Sequence, residues 1–179
     1  QALPYAQGYS DSKGNQAARR AVFTRYELVE GFPRFDVDDV YLGNGVSELI
    51  TMTLQALLDN GDQVLIPAPD YPLWTASTSL AGGTPVHYLC DETQGWQPDI
   101  ADLESKITDR TKALVVINPN NPTGAVYGTE ILVRATSKSP RIQTYVGTRM
   151  AVTTHLTDRV RAFLADRDQW RRFPDDVRE

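Results

Sequence analysis

The chain has 179 residues, of which 41% are hydrophobic and 23% charged, and its net charge is −5 at pH 7. This composition is ordinary for a soluble globular protein of one domain, or one domain with an appendage. The single cysteine, Cys90, excludes an internal disulfide and a cysteine zinc cluster, and His87 and His155 lack the spacing of metal ligands. No apolar run is long enough to span a membrane and no signal peptide is visible, so we expect a cytoplasmic protein.

The charge is distributed unevenly along the chain. Residues 1–131 contain 8 Lys and Arg against 17 Asp and Glu, a net charge of −9, whereas residues 132–179 contain 10 against 6, a net charge of +4. Such a step in composition indicates a boundary between two parts. We therefore expect a first domain over residues 1–131, followed by a divergent, Arg-rich tail over residues 132–179.

Short apolar strands alternate with helices along the first part. Helices are expected over residues 17–30, 47–58, 73–81 and 98–107, and strands over residues 38–42, 63–66, 85–89 and 112–117. This alternation predicts an α/β fold, with a partial doubly wound, mostly parallel sheet flanked by helices.

The tail has a different pattern. Residues 133–149 have no clear period and predict a loop or a weak strand, whereas residues 154–173 predict an amphipathic C-terminal helix. Most of its arginines fall outside the apolar face, as expected for a solvated helix surface. A nucleic-acid contact is the alternative, but the aspartates between the arginines make nucleic acid an unlikely partner.

Small and polar residues follow three of the predicted strands, at residues 43–47, 67–72 and 118–124. The carboxyl ends of parallel strands lie at one edge of a sheet, where open α/β sheets bind ligands. We therefore expect these three loops to lie at the same edge.

Each loop has one feature that suits a ligand. Gly43-Asn-Gly-Val-Ser47 leads into a helix N-terminus, whose free N–H groups suit a phosphate, although Gly-x-Gly turns are common. Prolines on both sides of Tyr71 stiffen its loop, so its ring is either a stacking surface for a flat ligand or part of the sheet edge. Asn121 offers an amide donor, within what is otherwise an ordinary Asn-Pro turn. Together these features suit a flat, phosphorylated, hydroxyl-bearing aromatic cofactor, a description that pyridoxal phosphate fits.

The motifs, taken in order, resemble a known family. Tyr9-x4-Gly14, Gly43-Asn-Gly-Val-Ser-Glu-Leu49, Pro69-Asp-Tyr-Pro72 and Asn120-Asn-Pro-Thr-Gly124 are similar to motifs of the class I/II aminotransferases of pyridoxal-phosphate fold type I. The residues of these motifs and their spacing are most similar to those of the bacterial alanine aminotransferases, and the resemblance covers about residues 5–131. It implies transfer of an amino group between an amino acid of the alanine or glutamate type and a 2-oxo acid, by way of pyridoxal phosphate.

The resemblance also implies roles for individual residues in cofactor binding. The backbone at Gly45 and Val46, together with Ser47, is expected to hold the cofactor phosphate. Tyr71 is expected to stack on the pyridine ring, and Asn121 to hydrogen-bond the ring hydroxyl oxygen.

Tyr9 is similar to the tyrosine that reaches the cofactor phosphate of the neighbouring subunit, which implies a homodimer. Three other family residues are not recognisable: the aspartate that pairs with the pyridine nitrogen, the Schiff-base lysine and the arginine that binds the substrate carboxylate. The four lysines of the chain are Lys13, Lys106, Lys112 and Lys138. The Thr-Ser-Lys-Ser segment at Lys138 imitates the lysine motif, but it follows the Asn-Pro-Thr-Gly motif too closely to leave room for the aspartate-bearing strand.

The catalytic residue is therefore unknown from the sequence, and we expect a truncated large domain that is inactive alone. Two alternatives stay open. One is another fold type I enzyme, a lyase or synthase, built on the same three loops. The other is a non-catalytic remnant or interaction module that binds a partner through an unpaired sheet edge or the basic tail.

Overall fold

The computed structural model describes residues 8–9, 11–28, 34–137, 143–148 and 151–152. The helices are α1 (Gln16–Glu27), α2 (Val46–Leu57), α3 (Pro72–Leu80), α4 (Ile100–Ser105) and α5 (Thr129–Ser137). The strands are β1 (Gln63–Ala68), β2 (Thr84–Asp91), β3 (Gln97–Pro98), β4 (Thr111–Ile117), β5 (Gln143–Thr148) and β6 (Ala151–Val152). Short 3-10 helices lie at Val37–Asp39 and Glu92–Gln94.

The strands form one sheet in the order β3-β2-β1-β4-β5-β6. β1 pairs in parallel with β2 on one side and with β4 on the other, and β4 pairs in parallel with β5. The two-residue strands β3 and β6 are antiparallel to their neighbours at the two ends of the sheet. The predicted α/β fold, a partial and mostly parallel sheet flanked by helices, is confirmed.

Helices cover both faces of the sheet. On one face, Ile50 and Leu54 of α2 pack in a core that includes Val115 of β4. On the other face, Leu103 of α4 packs in a second core that includes Leu114 of the same strand. Because neighbouring residues of a strand point to opposite faces, β4 is buried on both sides, as its unbroken apolar sequence predicts.

The helices differ in how their N-termini are capped. Asn15 accepts hydrogen bonds from two N–H groups at the start of α1, and Asp99 does the same for α4. In contrast, α2 begins after Gly45 and α3 after Tyr71, neither of which gives a side-chain cap. The first N–H groups of these two helices are therefore left without that partner.

The strand predicted over residues 38–42 is wrong. The chain forms a 3-10 turn at Val37–Asp39 and then continues without strand pairing through residue 43. The cause is a reciprocal capping box, in which the Asp36 carboxylate accepts from the Asp38 N–H and the Asp39 carboxylate accepts from the Asp36 N–H. Aspartate side chains that bind nearby N–H groups favour a turn over a strand.

The prediction for residues 133–149 is partly wrong, because α5 occupies the chain as far as Ser137 and only β5 is a strand. Leu132 and Ala135 of α5 are buried in the second core. This helical spacing begins at residue 129, so residues 133–149 taken alone do not display it. The division at residue 131 stays a prediction, and the helix predicted over residues 154–173 lies outside the described residues. In the described part of the chain, no helix has the length and apolar character needed to cross a membrane.

Candidate functional site

Three loops meet at the edge of the sheet formed by the carboxyl ends of β1 and β4. These strands are parallel neighbours, so the loops that follow them, residues 69–72 and 118–124, begin side by side. The remaining loop, residues 43–45 and first in chain order, leads into α2. That helix packs on the sheet and ends close to the amino end of β1. Its twelve residues span about 18 Å, roughly the length of the strand, so its N-terminus returns to the same edge.

Gly45 shapes the first loop. Its φ of 92° and ψ of 173° are a conformation that only glycine adopts readily, and a Cβ built there has no neighbour within 4 Å. The N-terminus of α2 is therefore open to solvent, and the Ser47 side chain is exposed beside it. The Glu48 carboxylate accepts the Asn44 N–H, so this acidic group is held against the preceding loop. The helix N-terminus, with its partial positive charge, has the form of an anion site.

Tyr71 lies at the start of α3, where its carbonyl accepts the Trp74 N–H at 3.0 Å. It is partly buried and packs against the core on the α2 and α3 face. Both roles considered for Tyr71 are thus compatible with its position, because packing on the sheet edge leaves part of the ring accessible to a ligand.

The three asparagines of the third loop have different surroundings. Asn118 is 5% exposed, and its amide pairs with both backbone groups of Tyr127, accepting from the N–H at 2.9 Å and donating to the carbonyl at 3.4 Å. Asn120 is 4% exposed and donates to the Tyr127 hydroxyl at 2.7 Å. Asn121 is exposed at the tip of the loop. Two asparagines therefore close the loop, and the third is the one presented to solvent.

Tyr127 anchors this loop in the core below the sheet edge. Burial raises the pKa of its hydroxyl well above the ordinary value, and the neighbouring Cys90 adds to that shift. Burial likewise raises the pKa of the Cys90 thiol, whose sulfur lies 3.7 Å from the Tyr127 oxygen. The hydroxyl thus accepts from Asn120 while keeping its own proton, and the contact is between neutral groups.

Tyr127→Phe is expected to destabilise the chain by about 1–2 kcal/mol, because it leaves the buried Asn120 amide without its acceptor. Urea denaturation followed by circular dichroism measures this change. Tyr41→Phe is the matched control, since Tyr41 is exposed and its substitution is expected to cost less than about 0.5 kcal/mol. Equal effects of the two substitutions would contradict the role given to Tyr127.

Tyr9 lies on an N-terminal segment and is fully exposed. The segment is held by Arg19, which is 3% exposed and donates to the Gly14 and Val37 carbonyls at 3.3 Å each. The Leu42 N–H also donates to the Lys13 carbonyl at 2.9 Å. These bonds fix Lys13 and Gly14 beside the residues that lead into the loop at residues 43–45, and Tyr9, which precedes them in the chain, is exposed.

Several residues near the site were not predicted from the sequence. The clamp formed by Asn118, Asn120 and Tyr127 joins residues with no recognisable motif spacing. A second cluster joins Asp70 to Thr75 and His87. A histidine can donate and accept hydrogen bonds, but His87 is isolated in the sequence and lacks metal-ligand spacing. Its contact with Thr75 could therefore not be predicted. Among the described residues, no group of three His, Cys, Asp or Glu side chains is arranged to hold a metal ion.

A model of the aminotransferase class I and II family matches residues 3–145, four-fifths of the chain. The chain belongs to this family. The resemblance found in the motifs is thereby confirmed, and the match extends across α5 into β5.

The relatives carry consistent names. An alanine aminotransferase of Mycobacterium tuberculosis is 91% identical over 134 residues, which cover 75% of this chain and 31% of that protein. The glutamate-pyruvate aminotransferase AlaA of Escherichia coli is 58% identical over 131 residues, covering 73% of this chain and 32% of that protein. The chain spans about one-third of the length of these relatives.

Solved structures of the family share the fold. An aminotransferase from Escherichia coli superposes with a TM-score of 0.77 at 52% identity, covering 81% of this chain and 36% of that chain. An alanine aminotransferase from Pyrococcus furiosus superposes with a TM-score of 0.73 at 40% identity, covering 81% of this chain and 37% of that chain. The partial sheet described above therefore corresponds to about a third of the family's fold.

The arrangement of the described residues is suited to binding pyridoxal phosphate. The helix N-terminus after Gly45 is open, with N–H groups and the exposed Ser47 hydroxyl available to a phosphate. A partly exposed aromatic ring, Tyr71, and an exposed amide, Asn121, lie on loops that follow neighbouring strands. An anion cradle, a stacking surface and a hydrogen-bond donor are the groups that a phosphorylated hydroxypyridine needs.

Proposed function

We propose that this chain forms one wall of the pyridoxal-phosphate site of an aminotransferase of the alanine or glutamate type. The observation that carries the proposal is the convergence of three loops at one sheet edge, led by the uncapped N-terminus of α2 at Gly45. The names of the relatives support the substrate class, which comprises an amino acid and a 2-oxo acid.

Each site residue has a distinct task in this proposal. The N–H groups of Val46 and Ser47, with the Ser47 hydroxyl, bind the cofactor phosphate, aided by the dipole of α2. Tyr71 stacks on the ring and fixes its plane. Asn121 donates a hydrogen bond to the ring hydroxyl oxygen. When bound, pyridoxal phosphate supplies an electron sink for bond breaking at the amino acid's α-carbon.

The proposal includes a homodimer, in which Tyr9 contacts the cofactor phosphate held by the partner subunit. The exposure of Tyr9 supports this role. An exposed aromatic ring is suited to a contact with another molecule rather than to its own core.

We further propose that the chain does not transaminate by itself. Lys112 lies at the amino end of β4, the edge opposite the three loops, 4.0 Å from Asp62. Lys106 follows α4, on the sheet face opposite α2, and its amine binds Asp102 at 2.6 Å. The Lys13 amine donates to the Asp38 carbonyl at 2.6 Å. β5, the parallel neighbour of β4, has no Asp or Glu to pair with the pyridine nitrogen. Lys138 lies outside the described residues.

Titration with pyridoxamine phosphate tests cofactor binding. This compound has the ring, hydroxyl and phosphate but no aldehyde, so it cannot react with surface lysines. We expect saturable binding at one site, and about a tenfold or greater loss of affinity in Tyr71→Ala, because the stacking surface is removed. Tyr71→Phe retains the ring and is expected to lose less.

Isothermal calorimetry measures the affinities in that titration, with circular dichroism to confirm that each variant folds. The absence of saturable binding by the unmodified chain would contradict the proposal and favour a non-catalytic interaction module. Binding with the same affinity in Tyr71→Ala would contradict the stacking role alone.

A further inference from the structure

A chain of side-chain hydrogen bonds lies next to Tyr71. The Thr75 hydroxyl oxygen is 2.5 Å from a carboxylate oxygen of Asp70 and 2.9 Å from Nε2 of His87. The same Nε2 is 3.7 Å from that Asp70 oxygen. The three side chains come from the loop after β1, the first turns of α3 and the middle of β2, so they join three separate elements.

The chemistry of the three groups fixes the direction of the hydrogen bonds. A carboxylate can only accept, so the single Thr75 hydroxyl proton is donated to Asp70. The Thr75 oxygen must then accept from Nε2 of His87, which therefore carries a proton. The series runs from His87 through Thr75 to Asp70, and each hydrogen bond polarises the next.

This series of hydrogen bonds involves the loop that carries Tyr71. Asp70 immediately precedes Tyr71, and its bond to Thr75 closes the chain around Tyr71 and the start of α3. Because α3 begins without a side-chain cap at Tyr71, this bond supplies a local restraint that a cap does not. His87 attaches the closed loop to β2, where it is the register partner of Ile66 in β1.

We propose that Thr75 and His87 are positioning residues that hold Tyr71 at the angle needed to stack on the cofactor ring. This inference rests on the stacking role given to Tyr71 in the proposed function. Neither side chain needs to touch the ligand, since both act through Asp70 and the backbone of Tyr71. A role limited to holding α3 in place would instead change stability without changing the orientation of Tyr71.

Two pairs of variants separate these roles, and in each pair one substitution removes the hydrogen-bonding group and the other retains it. Thr75→Val removes the hydroxyl with little change in shape, whereas Thr75→Ser retains it. Thr78 gives the matched control on the same helix, because its hydroxyl is fully buried with no hydrogen-bond partner among the described residues. Thr78→Val therefore makes the same chemical change without breaking a hydrogen bond. If Thr75→Val does not fold, His87→Leu and His87→Gln provide a second pair, in which only Gln retains a donor.

The first measurement uses the ligand-free chain. With 13C-labelled tyrosine, the ring resonances of Tyr71 are assigned by their loss in Tyr71→Phe. We expect Thr75→Val to shift or broaden them toward the values of a mobile ring, while Thr75→Ser and Thr78→Val leave them in place. The second measurement is the pyridoxamine phosphate titration, in which Thr75→Val is expected to weaken binding by about five- to tenfold.

The outcomes distinguish this inference from the proposed function. Unchanged Tyr71 resonances in Thr75→Val, or equal changes in Thr78→Val, would overturn the positioning role. Changed resonances together with weaker binding support it. Changed resonances in a chain that never binds pyridoxamine phosphate would support the restraint on Tyr71 and contradict the cofactor site itself.

Discussion

Supplied with pyridoxal phosphate, alanine and 2-oxoglutarate, the purified chain is expected to transaminate no faster than free pyridoxal phosphate. A positioned covalent catalyst contributes an effective concentration of about 10⁵ M or more, and this chain places none of its three described lysines at the candidate site. Lys112 is at the opposite edge, Lys106 is bound to Asp102 beyond the opposite face of the sheet, and Lys13 is bound to the Asp38 carbonyl. The expected loss relative to a complete enzyme is therefore several orders of magnitude.

Borohydride reduction followed by mass spectrometry complements the rate measurement. We expect only scattered, substoichiometric pyridoxyl-lysine, as surface amines give with any aldehyde. The same treatment of Lys112→Arg should leave both the rate and the adduct pattern essentially unchanged. Turnover together with a stoichiometric adduct on a single lysine would show that the site is complete, and would identify the lysine that completes it.

Gly45→Ala is expected to reduce the affinity of the chain for pyridoxamine phosphate by about tenfold or more, because it disrupts the phosphate-binding loop. The backbone at Gly45 lies in a region that costs a residue with a Cβ about 1–3 kcal/mol. A Cβ there meets no neighbouring atom within 4 Å, so this strain, rather than a clash, produces the effect. Relief of the strain turns the peptide and moves the Val46 and Ser47 N–H groups away from the phosphate.

Gly95→Ala is the matched control for that substitution. Gly95 also has a positive φ, 66°, and open space around a Cβ, but it follows the 3-10 helix at Glu92–Gln94 and not a site loop. It is expected to lose about 1 kcal/mol of stability and no affinity for pyridoxamine phosphate. Urea denaturation and calorimetry on both variants measure the two quantities. Similar affinity losses in both would mean that general destabilisation, not the shape of the loop at Gly45, weakens binding.

The central helices and strands were predicted from the sequence to within about two residues, for a physical reason. Strands such as β4 carry unbroken apolar runs, and helices such as α2 carry buried residues at helical spacing, so each pattern directly reflects burial. The turn at Val37–Asp39 was missed because side-chain caps, not apolar spacing, determine it. Two-residue strands such as β3 exist only through pairing with a neighbour, so they have no pattern of their own.

The site was predictable as loops but not as a network. A strand followed by proline or asparagine identifies a loop at the carboxyl edge, and Tyr71 and Asn121 were found in this way. Gly45 was assigned to the same edge because of a predicted strand over residues 38–42 that the structure does not contain, and it is α2 that places it there. Three asparagines in one loop are chemically identical, and only the burial of Asn118 and Asn120 shows which two are structural. Contacts such as Thr75 with His87 join separate elements, so they depend on a register that the sequence does not display.

Backbone amide NMR of the chain titrated with pyridoxal phosphate, and in parallel with pyridoxal, most directly tests whether the three loops form a cofactor site. Pyridoxal lacks the phosphate but has the same ring and aldehyde. We expect pyridoxal phosphate to shift the amide resonances of Val46 and Ser47 strongly, together with the side-chain amide of Asn121, and pyridoxal to leave Val46 and Ser47 almost unchanged. Equal shifts with both compounds, or shifts confined to residues away from this edge, would contradict the account.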